Sequence, residues 1–459
     1  MKTKINMLEG PIWNQIILYA FPLAVTGILE QLFNTADIIV VGRFTGDMAS
    51  RCMAAVGANT PIIGLIVNLF IGISMGSNVV IATAAGGKNK ALVKKAAGNA
   101  VIIAFLGGIL MAVLGEMLAV PLLRSQNVPE EVLPLAEKYL RIYFAGMPVV
   151  LLYNFAASAY RGLGNTRTPL FALIIAGVVN VVLNLTFVIG FGMDVDGVAI
   201  ATVISNAISA IFLLTGLIQK NGIAGIRSKD FLLDQKIVSK ILRIGVPTGI
   251  QMAVFAIANM IIQSAVNSLG TTVMAASSAA FNIEVFAYYV LSSFSQACTT
   301  FTGQNFGAGN IRRCKSVLKN CILEDLVFTA LSIILILVSG RMILSLFNPD
   351  TEVVSTGYIR LLWIFSAYTF SMLYENIAGY LRGFGISLVP AVLTVIGVCG
   401  VRIAWIETIF QARRTFQSIL SAYPVSMAVT ATLMTGAALV LKPSHKYAKH
   451  ERKQCIKKE

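Results

Sequence analysis

Long apolar stretches alternate with short polar segments along the whole chain. An apolar helix needs about 20 residues to cross a bilayer, and each stretch is long enough to do so. The pattern therefore predicts an all-α integral membrane protein with twelve transmembrane helices. The predicted spans are residues 12–41, 53–83, 96–121, 134–160, 168–191, 196–219, 241–267, 272–305, 316–340, 354–381, 388–411 and 418–441.

The second half of the chain repeats the first. The motif RGLG at 161–164, with Pro169 after it, returns 221 residues later as RGFG at 382–385, with Pro390 after it. Several shorter matches fall at or near the same offset, which indicates internal duplication. Each half has six spans, so both enter the membrane from the same side. The sequence thus predicts two six-helix lobes related by a pseudo-twofold axis along the membrane normal, as in many transporters.

This repeat defines the predicted domains. Residues 1–219 form an N-terminal lobe, 220–243 a cytoplasmic linker, 244–441 a C-terminal lobe and 442–459 a basic cytoplasmic tail. From Asp230 the linker has the pattern of an amphipathic surface helix. Pro22 and Pro247 lie inside the first helix of their lobes. Because proline removes a backbone donor and bends a helix, each is either a hinge or a fixed kink.

Composition agrees with a membrane protein. The chain is 56% hydrophobic and 12% charged, with a mean hydropathy of +0.78, whereas soluble domains have about 25% charged residues. The net charge of +15 could suggest nucleic acid. However, most lysines and arginines fall on one side of the membrane if both termini are inside, which fits the positive-inside rule. We therefore expect a multi-pass membrane protein with cytoplasmic termini and no nucleic-acid partner.

Cysteine and histidine usage argues against an enzyme. The six cysteines have no paired spacing, and the two histidines, His445 and His450, lie in the basic tail. A membrane-embedded enzyme would need a nucleophile with a base, or a metal site. No selectivity-filter-like segment interrupts the spans, which disfavours a channel. We expect no cofactor beyond a coupling ion.

The first span carries polar residues where a membrane helix is normally apolar. Glu30, Asn34 and Asp37 are spaced to share one stripe of a helix. A carboxylate at mid-bilayer costs about 3 kcal/mol on insertion scales, so it normally faces a bundle interior or a wet cavity. The stripe is either a functional site or polar packing between helices.

Other polar residues of the first half could join Asp37 in one pocket of carboxylate, amide and hydroxyl oxygens. Hard cations prefer such oxygens, and burial disfavours the charged form of a carboxylate. The alternative is ordinary hydrogen bonding between helices. The candidates are Asn154, Tyr139, Asn180, Asn184 and Thr202.

The second half has a different set of polar residues. Ile262 stands where Asp37 would be expected at the offset of the two prolines. Glu284 either meets a cationic substrate or pairs with Arg402, and the pairing is favoured. The substrate-site candidates are Gln251, Asn282, Glu284, Tyr288, Glu375, Asn376 and Arg402.

Three stretches, LEQLFNTADIIVVGRF, YRGLGNTRTP and LRGFGISLVP, resemble the multidrug and toxic compound extrusion (MATE) family, closest to its bacterial multidrug-efflux branch. The resemblance runs from about residue 8 to 441. It implies a twelve-helix, two-lobe antiporter that expels amphipathic, often cationic, compounds using a proton or sodium gradient. The resemblance also implies a location in the bacterial inner membrane, and we expect a monomer.

The resemblance also suggests residue roles. Asp37, Asn180 and Thr202 match the family's N-lobe cation-site positions, so Na⁺ or H⁺ at Asp37 is implied. Asn184 departs from the pattern, since many relatives have aspartate there, and this weakens the case for a tight sodium site. Glu30 stands where close relatives have glutamine and would partly replace the missing charge.

A rival within the same superfamily is a flippase for lipid-linked precursors. Such a protein would be expected to present several basic residues to a pyrophosphate group. Arg402 is the clearest deep cation in the sequence, which favours the antiporter.

Overall fold

The computed structural model describes residues 5–126, 128–219 and 224–444. These residues are almost entirely helical, and no β-strand occurs among them. Part of the predicted linker, 220–223, and most of the predicted basic tail, 445–459, lie outside the described residues.

The first half consists of seven helices within the described ranges. Each of the first six predicted spans corresponds to one helix or to a consecutive pair. The helices are α1 (Ile12–Phe44), α2 (Ala49–Gly86), α3 (Lys90–Ser125), α4 (Leu133–Ala145), α5 (Met147–Gly162), α6 (Arg167–Leu185) with a π-helical end (Thr186–Gly190), and α7 (Val195–Ile218).

The second half follows the same order. Its helices are α8 (Gln235–Asn267), α9 (Thr271–Gly307), α10 (Ile311–Phe347), α11 (Thr351–Ser366), α12 (Tyr368–Gly383), α13 (Leu388–Thr394), α14 (Val401–Trp405), α15 (Phe416–Leu420) and α16 (Ala422–Leu441). π-helical segments Val395–Gly400 and Ile406–Phe410 flank α14.

Ten helical stretches of the described chain are long and apolar enough to cross a membrane, and the pair α4–α5, bent by 51°, makes an eleventh. The pair α11–α12 corresponds to the tenth predicted span. It contains Arg360 and Glu375, which lower its hydropathy. All twelve predicted spans thus have a helical counterpart, and the predicted fold class is confirmed.

The duplication has a direct structural counterpart. The break between α4 and α5 falls at Gly146, and the break between α11 and α12 falls 221 residues later at Ala367. Gly164 and Gly385 follow α5 and α12 with φ of +85° and +79°. A left-handed backbone favours glycine, which explains why the second glycine of each RGxG motif recurs.

Contacts divide the chain into two compact units. Unit 1 contains Val25–Ala85 and Asn89–Gly249, and unit 2 contains Ile5–Ala24, Gly86–Lys88 and residues from 250 onward. Helices α1 and α8 therefore each belong partly to both units. Each changes unit two residues after its proline, Pro22 or Pro247. The helices are continuous through these prolines, and their role as hinges stays a prediction, as do the domain boundaries.

The linker agrees with the expectation only in part. The helix predicted from Asp230 starts later, at Gln235, as the first turns of α8, and a short 3₁₀ helix, Ser228–Phe231, precedes it. The linker packs on α3, where Asn99 Oδ1 accepts a hydrogen bond from the Asp234 amide at 2.9 Å and Asn99 Nδ2 donates to the Leu232 carbonyl at 3.2 Å. Backbone bonding to a buried asparagine thus replaces the first predicted turn.

Two glycines on each helix, four residues apart, bring α2 and α8 into close contact within unit 1. Gly72 and Gly76 on α2 face Gly245 and Gly249 on α8. A Cβ atom on Gly72 would lie 2.3 Å from the Gly249 Cα atom. Each pair has the small-xxx-small spacing that lets membrane helices approach closely. This contact holds the first half of α8 in unit 1.

Candidate functional site

Asp37 is the centre of a hydrogen-bonded cluster in unit 1. Asn184 Nδ2, on α6, donates to Asp37 Oδ1 at 2.6 Å, and Thr202 Oγ1, on α7, lies 3.3 Å from Asp37 Oδ2. Asn180 joins the two partners: its Oδ1 accepts from Asn184 Nδ2 at 3.2 Å, and its Nδ2 donates to Thr202 Oγ1 at 3.3 Å. The structure therefore brings four predicted residues together from three helices.

The local sequence explains this placement. Asn180 and Asn184 are four residues apart, so both lie on the same face of α6. Directly after Asn184 the helix widens into the π-helical segment Thr186–Gly190. Such widened turns are frequent at functional sites.

The cluster is buried but incompletely satisfied. Asp37 is 7% exposed and Asn184 is 0% exposed, yet Asn184 Oδ1 has no hydrogen-bond donor among the described residues. A buried acceptor without a donor is costly. The oxygens of Asp37, Asn184, Asn180 and Thr202 are the kind that a hard cation prefers. The donor set therefore fits a proton or a sodium ion.

The Thr202 hydroxyl can either donate a hydrogen bond to Asp37 or accept one from it. Its Oγ1 lies 3.0 Å from the Val198 carbonyl as well as 3.3 Å from Asp37 Oδ2. A hydroxyl can donate or accept. It can donate to ionised Asp37, or donate to Val198 and accept a bond from protonated Asp37. The same side chains therefore serve both charge states.

The remaining first-half candidates lie outside this network. Tyr139 is buried near Asp37 and stacks on Tyr143 with ring centroids 6.4 Å apart. Asn154 donates to the Val150 carbonyl of its own helix at 2.9 Å. Asn34 is exposed and makes no hydrogen bond with another described residue.

Glu30 is half-buried and lies in the electrostatic field of Arg161. It makes none of the hydrogen bonds around Asp37 described above. The predicted stripe on α1 is thus divided into Asp37 in the cluster, Glu30 near Arg161, and an exposed Asn34.

In unit 2 the predicted pairing of Glu284 with Arg402 is wrong. Glu284 Oε2 accepts from Arg360 Nη2 at 3.2 Å, and Arg360 also donates to Ser277 Oγ at 2.9 Å. Arg360 was not among the residues that the sequence singled out. The structure buries it, with 2% exposed.

Arg402 is instead held by rings and a hydroxyl. Its guanidinium carbon lies 4.3 Å from the Tyr423 ring centroid and 5.7 Å from that of Phe255. Its Nε donates to Ser426 Oγ at 3.0 Å. Arg402 forms no ion pair with a carboxylate of the described chain. Cation–π contact stabilises a guanidinium without a counter-charge.

The other second-half candidates do not form one site. Gln251 Oε1 accepts from Arg382 Nη2 at 3.3 Å, and Asn282 bonds the Ser278 carbonyl of its own helix at 3.0 Å. Tyr288 is 39% exposed. Glu375 Oε2 lies 3.4 Å from Ser295 Oγ.

Two buried acids on α10 were missed. Glu324 and Asp325 are both 0% exposed, and Asn376, a predicted candidate, donates to Asp325 Oδ2 at 2.5 Å. Adjacent acids in the middle of an apolar span are a recognisable signal, because charges there are costly. No group of three or more His, Cys, Asp or Glu side chains suited to a metal occurs in the described residues.

Comparisons with known proteins agree with this architecture. The family model MatE matches twice, over residues 22–186 and 247–406. A probable multidrug resistance protein, YoeA of Bacillus subtilis, is 28% identical over 93% of each chain. The probable multidrug resistance protein NorM of Thermotoga maritima is 26% identical over 85% of this chain and 84% of its own.

A solved structure supports the fold. The crystal structure of a MATE protein in a bent conformation superimposes with a TM-score of 0.88 and 21% identity, covering 97% of this chain and 99% of that one. The two family matches fall in the two halves that the repeat defines. The chain therefore belongs to the MatE family, and it is a multi-pass membrane transporter of small molecules rather than an enzyme.

Proposed function

We propose that the protein is a secondary antiporter that exports amphipathic or cationic compounds in exchange for H⁺ or Na⁺. The observation that carries this proposal is the buried cluster around Asp37. It contains the Asp37 carboxylate, the Asn184 amide oxygen without a donor, and the Thr202 hydroxyl, which can donate or accept a hydrogen bond. Such a set can bind and release a monovalent cation.

Coupling requires that the two ligands favour different states of the protein. Binding a cation at Asp37 removes a buried negative charge and alters the hydrogen bonds that join α1, α6 and α7. Because Asp37, Asn184 and Thr202 lie on three different helices, a change at the carboxylate acts on the packing of all three. Substrate release follows if the cation-loaded state binds the substrate weakly.

The substrate class rests on the relatives and on composition. Both relatives are described as probable multidrug resistance proteins. Exposed Phe281 and Tyr288 on α9 offer aromatic surface to flat cations. We further propose a monomer in the bacterial inner membrane, with both termini cytoplasmic.

A lipid-linked precursor flippase is the second candidate. Three arginines of unit 2, Arg360, Arg382 and Arg402, are at most 6% exposed, whereas the sequence suggested only one deep cation. Glu284 balances Arg360, which leaves fewer charges for a pyrophosphate. The antiporter remains the better supported function.

The test uses protein reconstituted in lipid vesicles and a fluorescent cationic dye. An imposed proton or sodium gradient should drive dye movement in the wild type, and Asp37→Asn should abolish it. Asp47→Asn is the matched control, since Asp47 is exposed in the turn after α1. Dye movement that does not depend on Asp37 would contradict the proposed coupling site. No movement with folded protein under either gradient would favour the flippase.

A further inference from the structure

The hydrogen bonds of Asp325 in unit 2 resemble those of Asp37 in unit 1. One of its carboxyl oxygens accepts from an asparagine, Asn376 Nδ2, at 2.5 Å, and the other from a threonine, Thr329 Oγ1, at 2.7 Å. The Asp37 cluster likewise contains one amide donor and one hydroxyl. The described residues therefore contain two Asp–Asn–Thr triads, and the aspartate and asparagine of each are buried.

The repeat did not create this similarity. Asp37 lies on α1, with partners on α6 and α7, whereas Asp325 and Thr329 lie on α10 with Asn376 on α12. The two triads use different helices of their halves. Because they are not copies of one ancestral site, their common chemistry calls for a functional explanation.

The burial of Asp325 makes a fixed negative charge costly. Asp325, Thr329 and Asn376 are each 0% exposed, and Asp325 lies near the middle of the predicted span 316–340. No positively charged side chain forms an ion pair with it in the described chain. An ionised carboxylate in such surroundings is expensive unless it is paired or strongly hydrogen-bonded.

Among the described residues, the titratable groups beside Asp325 are acidic or neutral. Glu375 on α12 acts on Asp325 by its charge. Cys321, one turn earlier on α10, is close to Asp325 and contacts Cys298 on α9. Glu324 is the preceding residue. None of these groups supplies the positive charge that would hold Asp325 permanently ionised.

Two further observations indicate that a proton, a water molecule or an ion binds near Asp325. Asn376 Oδ1 is buried without a donor among the described residues, although Asn376 Nδ2 is fully used by Asp325 and the Met372 carbonyl. Neither carboxyl oxygen of Glu324, which is 0% exposed, has a hydrogen-bond partner in the described chain. Buried acceptors without donors are rare and mark places for a proton, water or ion.

We propose that Asp325 is a second proton-exchanging carboxyl group, so that each unit of the transporter carries one. On proton uptake an O–H bond forms on Asp325 and its charge changes from −1 to 0. On release the proton returns to water and the carboxylate is restored. Thr329 accepts a hydrogen bond from the acid and donates to the carboxylate, while Asn376 Nδ2 donates in both states. If protons drive the exchange and both carboxyl groups titrate in each cycle, two protons move per substrate rather than one, a consequence that rests on the proposed antiport.

The experiment measures protonation directly and does not depend on transport. Infrared difference spectra of the protein in lipid are recorded between acidic and alkaline pH, where protonated carboxyl groups absorb separately from carboxylates. The wild type should show pH-dependent absorption from both aspartates. Asp37→Asn and Asp325→Asn should each remove one component, and the double variant should lose both.

Two variants assign the signal. Glu352→Gln removes an exposed acid at the start of α11, away from the Asp325 site, and should leave both aspartate components in place. Thr329→Val keeps the side-chain shape and removes the hydroxyl, so it should move the pH midpoint of the Asp325 component but not that of Asp37. A spectrum of Asp325→Asn identical to that of the wild type would overturn the proposal. So would a Thr329→Val spectrum without a shifted component.

The number of protons bound per protein tests the role of Asp325 separately from the proposed antiport. With a pH-indicator dye, proton uptake by Asp325→Asn after a pH jump should fall by about one per protein relative to wild type. If vesicle transport fails but this loss is seen, the proton site stands and the antiport does not. If transport depends on Asp37 but proton uptake is unchanged by Asp325→Asn, the second site is excluded and the antiport stands.

Discussion

The side-chain nitrogen of Asn184 lies 2.6 Å from Oδ1 of Asp37 and donates a hydrogen bond to it. Asparagine therefore stands directly against the carboxylate, at a position where the family resemblance leads one to expect a second acid. An amide stabilises the ionised aspartate without adding charge. Its second atom, Oδ1, is left without a donor. A substitution at position 184 can therefore add a negative charge directly beside Asp37.

Asn184→Asp should increase the sodium dependence of transport. Replacing Nδ2 by oxygen puts two carboxylates in contact, and they cannot both remain ionised unless a cation lies between them. We expect transport at low sodium to fall and to recover as sodium is added, measured as dye movement in vesicles at constant pH.

Asn154→Asp is the control for this substitution. Asn154 bonds only its own helix at Val150, so a charge there should not create a sodium requirement tied to Asp37. Equal sodium dependence in both variants, or none in Asn184→Asp, would count against the cluster as the cation site.

The sequence predicted the helices and most of the first cluster because both depend on local or periodic signals. Hydropathy marks the spans, and the spacing of Asn180 and Asn184 puts them on one face of α6. Partner choice across helices is different. It depends on helix rotation and depth, which periodicity does not determine, and so Glu284 was assigned to Arg402 rather than to Arg360.

Two other features illustrate the same limit. Asp325 was missed although it lies within an apolar span, because the repeat matches Asp37 to Ile262 on α8 and predicts nothing for α10. The structure builds its second triad on other helices. The start of the linker helix was predicted too early, at Asp230 rather than Gln235, because amphipathicity does not show that the buried Asn99 bonds the backbone of Leu232 and Asp234.

A double-mutant cycle should detect the Glu284–Arg360 ion pair. Both side chains are largely buried, with 13% and 3% exposed. Removing one partner of a buried pair costs about 3 kcal/mol or more, because the other charge is left unpaired. Glu284→Leu and Arg360→Leu should each lower the thermal stability of the purified protein, and the double variant should lose less than the sum of the two.

The cycle between Glu284 and Arg402 is the control. Since Arg402 contacts Tyr423, Phe255 and Ser426 instead, Glu284→Leu and Arg402→Leu should be close to additive. Stronger coupling to Arg402 than to Arg360 would show that the observed pairing does not hold in the membrane.

Membrane orientation is tested by labelling single cysteines. The loops at Lys88 and Asn310 are exposed and contribute to the predicted cytoplasmic side, whereas Asp47 and Glu130 lie in loops predicted to be outside. In a background without the native cysteines, Lys88→Cys and Asn310→Cys should react only with a membrane-permeant reagent. Asp47→Cys and Glu130→Cys should react with an impermeant one in intact cells. The reverse pattern would invert the predicted topology.

The contact between α2 and α8 provides the last prediction. A Cβ atom on Gly72 would lie 2.3 Å from the Gly249 Cα atom, and one on Gly76 would lie 2.1 Å from the Ile241 carbonyl oxygen. Backbone atoms cannot move aside as a flexible side chain can, so Gly72→Ala or Gly76→Ala must separate the helices. Overpacking of this kind costs about 1–3 kcal/mol.

The same helix offers matched controls. Gly57 and Gly64 also lie on α2, and a Cβ atom on either would meet no neighbour within 4 Å. Gly57→Ala and Gly64→Ala should therefore leave the melting temperature unchanged or raise it slightly, because alanine favours the helix by about 1 kcal/mol. Gly72→Ala and Gly76→Ala should lower it and reduce transport. If all four variants melt alike, the close approach of α2 and α8 is not maintained in the folded transporter. If only Gly72→Ala and Gly76→Ala are destabilised, the paired glycines hold the first half of α8 in unit 1, next to the point after Pro247 where the helix passes into unit 2.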